Sequence, residues 1–267
     1  IVTSFLFKLN KLSNVFGGMT LWELDRTAEV MKWYSNFIKN APEDLSGFFA
    51  FLMVPPGDPF PKELHFKKMS GIVWCYTGPE KNSQDVFAPV RKLRPDFEFL
   101  VTMPHPVLQS MFDPLLSPGL QMYWKADFVN DIPDEAINQH LKYASELPTL
   151  LSLMHMYPVN GAASKPNNKD TAWSYRDATW AMVICGVDPD PSNKEIITKW
   201  AKDYYNAVHP YSAGGAYVNF MMHDEGAERV KATYKGNYER LVSIKQKYDP
   251  NNLFRVNQNI APPSIAV

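Results

Sequence analysis

His155 and Tyr157 stand two residues apart in Thr149 to Tyr157, a run that reads as a β-strand. Alternation then puts the imidazole and the phenol on one face and Met154 and Met156 on the other. Both groups can accept or deliver a proton. Tyr123 is a further candidate. It lies in a two-faced strand, Gln121 to Phe128, where Met122, Trp124, Ala126 and Phe128 point one way and Tyr123, Lys125 and Asp127 the other. A tyrosine on a half-buried strand serves packing as readily as chemistry, its hydroxyl satisfied nearby. His155 reads equally as a sheet-face histidine, and Lys125 and Arg176 as ion-pair or helix-covering residues. The histidines show no metal-ligand spacing, and His223-Asp224-Glu225 reads as a solvated helix start. Cys75 and Cys185 lie in apolar runs and read as buried, reduced thiols. Gly17-Gly18 and Gly214-Gly215 are single glycine pairs, not a phosphate cradle.

These side chains need elements to position them. Strands are expected at Ile1 to Asn10, Val15 to Trp22, Phe48 to Val54, Ile72 to Tyr76, around Phe97 to Val101, and over Thr171 to Cys185 as one long strand or two with a bend. Asp25 opens a helix with Met31, Tyr34 and Ile38 at helical spacing. Further helices are expected over Ser83 to Leu93, near Val107 to Phe112, and from Pro133 with Ile137, Leu141 and Ala144 inward. Ser192 with Glu195 has the form of a capping box, ahead of Ile196, Ile197, Trp200, Ala201 and Tyr204. A strand ends near Phe220, Asp224 caps the next helix, Gly236-Asn237 breaks it, and Asp249-Pro250-Asn251-Asn252 stops the helix after that. Strand pairs interrupted by helices predict an α+β fold: a mostly antiparallel sheet covered by helices on one face. No strong internal repeat is visible.

Composition narrows the function. The 267 residues are 45% hydrophobic and 13% aromatic, enough for a sizeable core, and the net charge of -1 implies neither a nucleic-acid nor an anionic-membrane partner. No apolar run is long enough to span a bilayer.

The last fifty residues carry the most specific pattern. Gly215-Ala216-Tyr217-Val218-Asn219-Phe220 is followed by Tyr234-Lys235-Gly236-Asn237-Tyr238-Glu239-Arg240-Leu241. Lys245 to Phe254 and Asn257-Gln258-Asn259-Ile260 close the chain. This closely resembles the carboxyl-terminal signature of the berberine-bridge-enzyme-like oxidoreductases, FAD-linked enzymes of the vanillyl-alcohol-oxidase superfamily. The resemblance implies that residues 1–10 end a FAD-binding domain, 11–220 form a substrate-binding domain and 221–267 a helical segment returning to the FAD domain. It implies an FAD-dependent oxidation of an alcohol, a sugar or a polycyclic natural product. Apart from the resemblance, a cytoplasmic location is expected. The partners implied are a small-molecule substrate and an amino-terminal FAD-binding half, which this sequence lacks.

Residue by residue, the resemblance puts Ile1, Tyr217, Asn219, Asn257, Gln258 and Asn259 at the cofactor. Tyr157 matches a tyrosine that faces the active site of plant members, and becomes the leading base, with Tyr123 second. His155, Arg176 and Phe220 would line the substrate pocket. Two departures bear on the chemistry. The family's second motif tyrosine falls on Phe220, which cannot accept a proton, and an active-site glutamate falls on Met182. The alternative on the same ancestry is a split-enzyme subunit, or a binding module or remnant without FAD. Where the FAD domain would pack, the sheet face and the carboxyl-terminal segment should expose an apolar patch.

Overall fold

The computed structural model describes residues 2–9 and 11–263. Seven antiparallel strands form one sheet, in the order β4-β1-β3-β2-β6-β7-β5. They are β1 (Asn14–Glu23), β2 (Leu45–Met53), β3 (Lys68–Tyr76), β4 (Phe97–Pro104), β5 (Gln121–Val129), β6 (Leu153–Pro158) and β7 (Trp180–Asp188). The helices are α1 (Thr27–Lys39), α2 (Ser83–Lys92), α3 (His105–Ser110), α4 (Asp134–Ser145), α5 (Lys194–Val208), α6 (Ala227–Tyr234) and α7 (Tyr238–Tyr248). The expected α+β class is what forms.

The sheet contains a repeat that the sequence does not show. From β1 to β4, the order 4-1-3-2 with crossover helices α1 and α2 is a ferredoxin-like split βαβ unit. From β5 to α5 the pattern returns, with β5-β7-β6 in place of 1-3-2. The fourth strand of this second unit shrinks to a short pairing on β5. Ser212 bridges Val129, Phe128 N–H donates to Gly215 O, and Ala213 N–H donates to Phe128 O. That segment blunts an otherwise open edge.

Helices α1, α2, α4 and α5 pack on one sheet face. Trp22, Trp74, Trp180, Tyr34, Phe49, Phe51 and Phe87 are fully buried there. Two of these buried indoles keep polar partners, Trp74 donating to Thr20 Oγ1 at 2.9 Å and Trp22 to Leu93 O at 3.2 Å. The glycine pair of β1 serves this packing. A Cβ on Gly17 would lie 2.5 Å from Trp74 O, and Gly18 has φ +138° against the backbone of Phe99, so no side chain fits between the strands.

Several expected elements do not form. Residues 2–9 are exposed and unpaired, because an alternating run is a strand only when a neighbour takes its N–H and C=O groups. Residues 171–179 form turns instead of a strand. The carbonyls of Asn168 and Thr171 accept from Asn237 Nδ2 at 2.7 and 2.9 Å, and Asp170 caps Asn167 N at 2.8 Å. Residues 149–152 turn as well, held by Thr149 Oγ1 donating to Val187 O. The capping box at Ser192 is absent; Asp190 accepts from Ser192 N at 2.9 Å and opens a 3-10 turn ahead of α5. Ile197 is buried and Ile196 is exposed, since only one stripe of α5 meets the sheet. A 3-10 turn, Val218–Phe220, replaces the strand expected there, and the N-cap of α6 is Gly226, not Asp224. No described helix is long and apolar enough to cross a membrane.

Candidate functional site

The sheet face opposite the helices is covered only at its two ends. At one end, α3 and the turn after it bring Leu108, Met111 and Phe112 over β1, β3 and β4. At the other, residues 213–234 bring Ala216, Phe220, Met221 and Val230 over β5 and β7. Strand β6 lies in the gap, and it presents His155 and Tyr157 there.

These two side chains form a hydrogen-bonded pair. Tyr157 Oη lies 2.8 Å from His155 Nδ1. Phe48 of β2 packs on both rings, at 4.7 Å from His155 and 4.9 Å from Tyr157, and Phe220 approaches Tyr157 at 5.9 Å. Burial sets the electrostatics. It pulls the imidazole down to about 4. Burial, with the Cys185 thiol beside it, pushes the phenol up to about 12. Both groups are neutral at pH 7, and the imidazole tautomer sets which of them donates: with the proton on Nε2, the phenol donates and Nδ1 accepts.

The pair sits between two hollows. An apolar cavity of ≈ 400 Å³ runs from His155 and Leu153 across Ala50 and Val73 to Phe99, roofed by Phe112. A more open recess of ≈ 460 Å³ holds Tyr157, Cys75, His105, Gln109 and Asn160. Phe48 and the roof at 105–116 are the parts that sequence reasoning missed. The alternation of β2 could have shown Phe48, but nothing local shows which helix folds over which strand.

The other predicted residues separate. Gln258 donates to Met221 O at 2.9 Å and to Met222 O at 3.1 Å, which brings the end of the chain onto the turn that bears Tyr217, Asn219 and Phe220. Asn219 is exposed and donates to Tyr217 Oη at 2.7 Å. Asn257 is exposed with φ 63°, a conformation asparagine tolerates, and its carbonyl accepts from Asn259 N. Ile1 lies outside the described residues. Arg176 is not in the pocket. It binds Ala163 O and Thr171 Oγ1, each at 2.7 Å, and stacks on Trp173, organising the 161–176 loop.

Tyr123 must be reassigned too. Its register partner is Gly186, whereas Trp124 pairs with Cys185 and Leu153 pairs with Cys185 on the other side of β7. Leu153, His155 and Tyr157 therefore share a face with Trp124, and Tyr123 points to the helix side. Met182 also points there and is buried. The residues beside it that reach the open face, Ala181 and Val183, carry no carboxylate either.

Tyr123 joins an ion network at the edge of the sheet. It donates to Asp224 at 2.9 Å; Lys125 pairs with Glu225 at 2.9 Å and with Asp224 at 3.6 Å. Arg229 pairs with Asp127, which His209 also meets at 2.8 Å. Asp224 and Glu225 are thus not a solvated helix start. Three carboxylates face Lys125, Lys202 and Arg229 and clasp residues 212–230 around β5. Burial opposes ionisation of Asp224, but the Tyr123 hydrogen bond and the two lysines outweigh it and hold its carboxyl below the ordinary range.

Cys75 is half-buried and Cys185 buried, both as free thiols. Among the described residues no group of three or more His, Cys, Asp or Glu side chains is arranged to hold a metal ion. Leu253, Phe254 and Val256 are exposed near the carboxyl end, as are Phe5, Leu6 and Phe7 near the start.

Known proteins resemble this chain in sequence and in fold. Residues 216–261 match the family described as "Berberine and berberine like". An FAD-linked oxidoreductase of Dictyostelium discoideum is 22% identical over 267 residues, spanning 98% of this chain and 55% of that protein. Berberine bridge enzyme-like 24 of Arabidopsis thaliana is 31% identical over 169 residues, spanning 55% of this chain and 31% of that protein. The structure of BBE-like 28 from Arabidopsis thaliana superposes with a TM-score of 0.75 at 19% identity, over 94% of this chain and 56% of that one. That last likeness is one of fold. The chain spans about half the length of the curated relatives it matches.

Proposed function

From the premise that this chain is related to the berberine bridge enzyme-like FAD-linked oxidoreductases, we propose that it forms the substrate-binding part of such an enzyme, with the open sheet face as the wall of the active site. The observation that carries this reading is the meeting, on one face, of the His155–Tyr157 pair with Phe220 and with the turn that Gln258 pins.

The residues present fit one end of an FAD. Asn219 offers an exposed amide, and Gln258, whose Nε2 is engaged, has a side-chain carbonyl oxygen without a partner among the described residues. Tyr217 and Phe220 add aromatic surface. The pyrophosphate end finds nothing comparable: Gly17 and Gly18 are packed inside the sheet, and Gly215 lies against the Tyr175 ring. Tyr217, Asn219 and Gln258 would hold the isoalloxazine, and a separate amino-terminal half would hold the rest. The exposed Leu253, Phe254 and Val256 suit contact with that half. When bound, FAD supplies the two-electron acceptor for a hydride.

The chain's own contribution is proton transfer. The pair is neutral at pH 7 and takes up a proton only as departure of the hydride makes the substrate hydroxyl strongly acidic. Together they form a relay. Tyr157 Oη takes the proton of a substrate hydroxyl while its own proton passes to His155 Nδ1. The substrate carbon loses its hydride, and a carbonyl results. This places on Tyr157 the role that Phe220 cannot fill.

The test is the protein joined to its FAD-binding half. It should show flavin absorption bands and release flavin on denaturation. Tyr157→Phe should keep the flavin and lower kcat by roughly 10²- to 10⁴-fold. A joined protein without flavin sinks the reading; unchanged turnover in Tyr157→Phe sinks the relay.

A further inference from the structure

The cavity beside His155 carries a statement about the substrate. Only Asp58 and His155 among its described lining residues have polar side chains, and Asp58 is exposed at the mouth. The remainder of the wall is hydrocarbon: Met19, Leu21, Ala50, Leu52 and Val73 from the sheet, with Phe112, Leu115 and Leu116 from the roof. Liquid water takes roughly 30 Å³ per molecule, so the ≈ 400 Å³ would hold about a dozen waters, each needing two to four polar partners. Two polar side chains cannot satisfy them. Water so poorly held is displaced with gain by an apolar group.

The cavity also has a direction. It ends at His155, whose Nδ1 meets Tyr157 Oη, and it runs from there away from the Gln258-pinned turn, toward β1 and β4. A molecule that fills it leaves one end at the proton-moving pair and the other under the roof.

We propose that this cavity takes the hydrocarbon body of an alcohol whose hydroxyl extends past His155 to Tyr157 in the adjoining recess, so that the substrate is an apolar alcohol and not a sugar. A sugar in this cavity would bring several hydroxyls to a wall with one buried polar side chain. Each hydroxyl left without a partner lowers affinity roughly five- to a hundred-fold. Which end of the alcohol reacts rests on the redox reading above; occupancy of the cavity does not.

The experiment is calorimetric titration of the chain with 1-hexanol, 1-octanol, 1-decanol and D-glucose. Affinity should rise about fourfold per added methylene, as hydrocarbon leaves water, and glucose should give no signal. Ala50→Leu adds bulk to a side chain on the cavity floor and should weaken 1-octanol at least tenfold. Should that variant fail to fold, Leu116→Lys, at a half-exposed roof position, should weaken it severalfold. The proposal is overturned if affinity does not change with chain length, if glucose binds as tightly as 1-octanol, or if a folded variant binds 1-octanol unchanged. Because the titration needs no flavin, the two readings fail separately. Alkanol binding with unchanged turnover in Tyr157→Phe rejects the relay alone. A Tyr157-dependent turnover without chain-length dependence rejects the cavity alone.

Discussion

Replacing Arg229 by methionine tests whether the ion network holds the carboxyl-terminal segment on the sheet. Methionine keeps much of the buried hydrocarbon and removes the guanidinium. The change deletes the ion pair to Asp127 and the hydrogen bonds to Ala126 O at 2.7 Å and Gly214 O at 3.1 Å. Two carboxylates are left behind in the protein, with side chains 1% (Asp127) and 6% (Glu225) exposed. Removing one partner of a buried pair costs about 3–5 kcal/mol, because the remaining charge stays buried. The lower end applies here, since His209 still meets Asp127 and Lys125 still meets Glu225. Unfolding entropy of about 2.1 cal/mol/K per residue gives about 0.56 kcal/mol/K for 267 residues, so about 3 kcal/mol lowers Tm by about 5 °C. Thermal unfolding followed by circular dichroism at pH 7 measures this, and raising the salt should change the difference little, because the pair is desolvated. A shift below about 1 °C, or one that vanishes in high salt, would mean that solvent already screens these charges, and the argument would be refuted.

Three further outcomes are expected. Burial lowers His140 to about 3 and His155 to about 4, against about 6.5 in the unfolded chain. The unfolded state therefore takes up protons first as pH falls, and stability present above pH 6.5 is lost toward pH 4. At pH 5 each histidine accounts for roughly 2 kcal/mol, seen as a lower Tm than at pH 7, and His155→Leu should remove about half of the drop. Asn237 is buried and its amide donates to Asn168 O, Thr171 O and Ser174 Oγ. Asn237→Ala should cost about 2 kcal/mol and speed proteolytic cleavage within 165–175, read by mass spectrometry of the fragments. Gln258→Ala releases the carbonyls of Met221 and Met222. Global stability should fall by about 1 kcal/mol or less, while amide exchange over 217–222 rises.

Much of the scaffold is legible in local pattern. The alternation in β5 reveals two faces, and the spacing of Met31, Tyr34 and Ile38 reveals α1, because burial repeats with the period of the backbone. Element ends fare worse. Residues 171–179 look like a strand by composition, yet the carbonyls of Thr171 and Ala172 are claimed by the side chain of Asn237, more than sixty residues away. The same applies to Asp224, which would cap α6 on local rules but is drawn to Tyr123 and Lys125, about a hundred residues earlier. The repeated βαβ topology is invisible because strand order is a pairing between distant segments and leaves no spacing in the chain.

The sequence by itself determined the fold class, the resemblance carried by the carboxyl-terminal motif, and the pairing of His155 with Tyr157 on one strand face. Each follows from residues close in the chain, where backbone geometry alone sets the relation. Only the tertiary structure decided that Tyr123 turns toward the helices and Tyr157 toward the open face. A strand's alternation says which side chains are together; which side is covered depends on where the crossover helices land. The cavity is of the same kind. Its floor comes from five strands and its cover from residues 55–60 and 111–116, so its volume and its apolar wall exist only once those segments have packed.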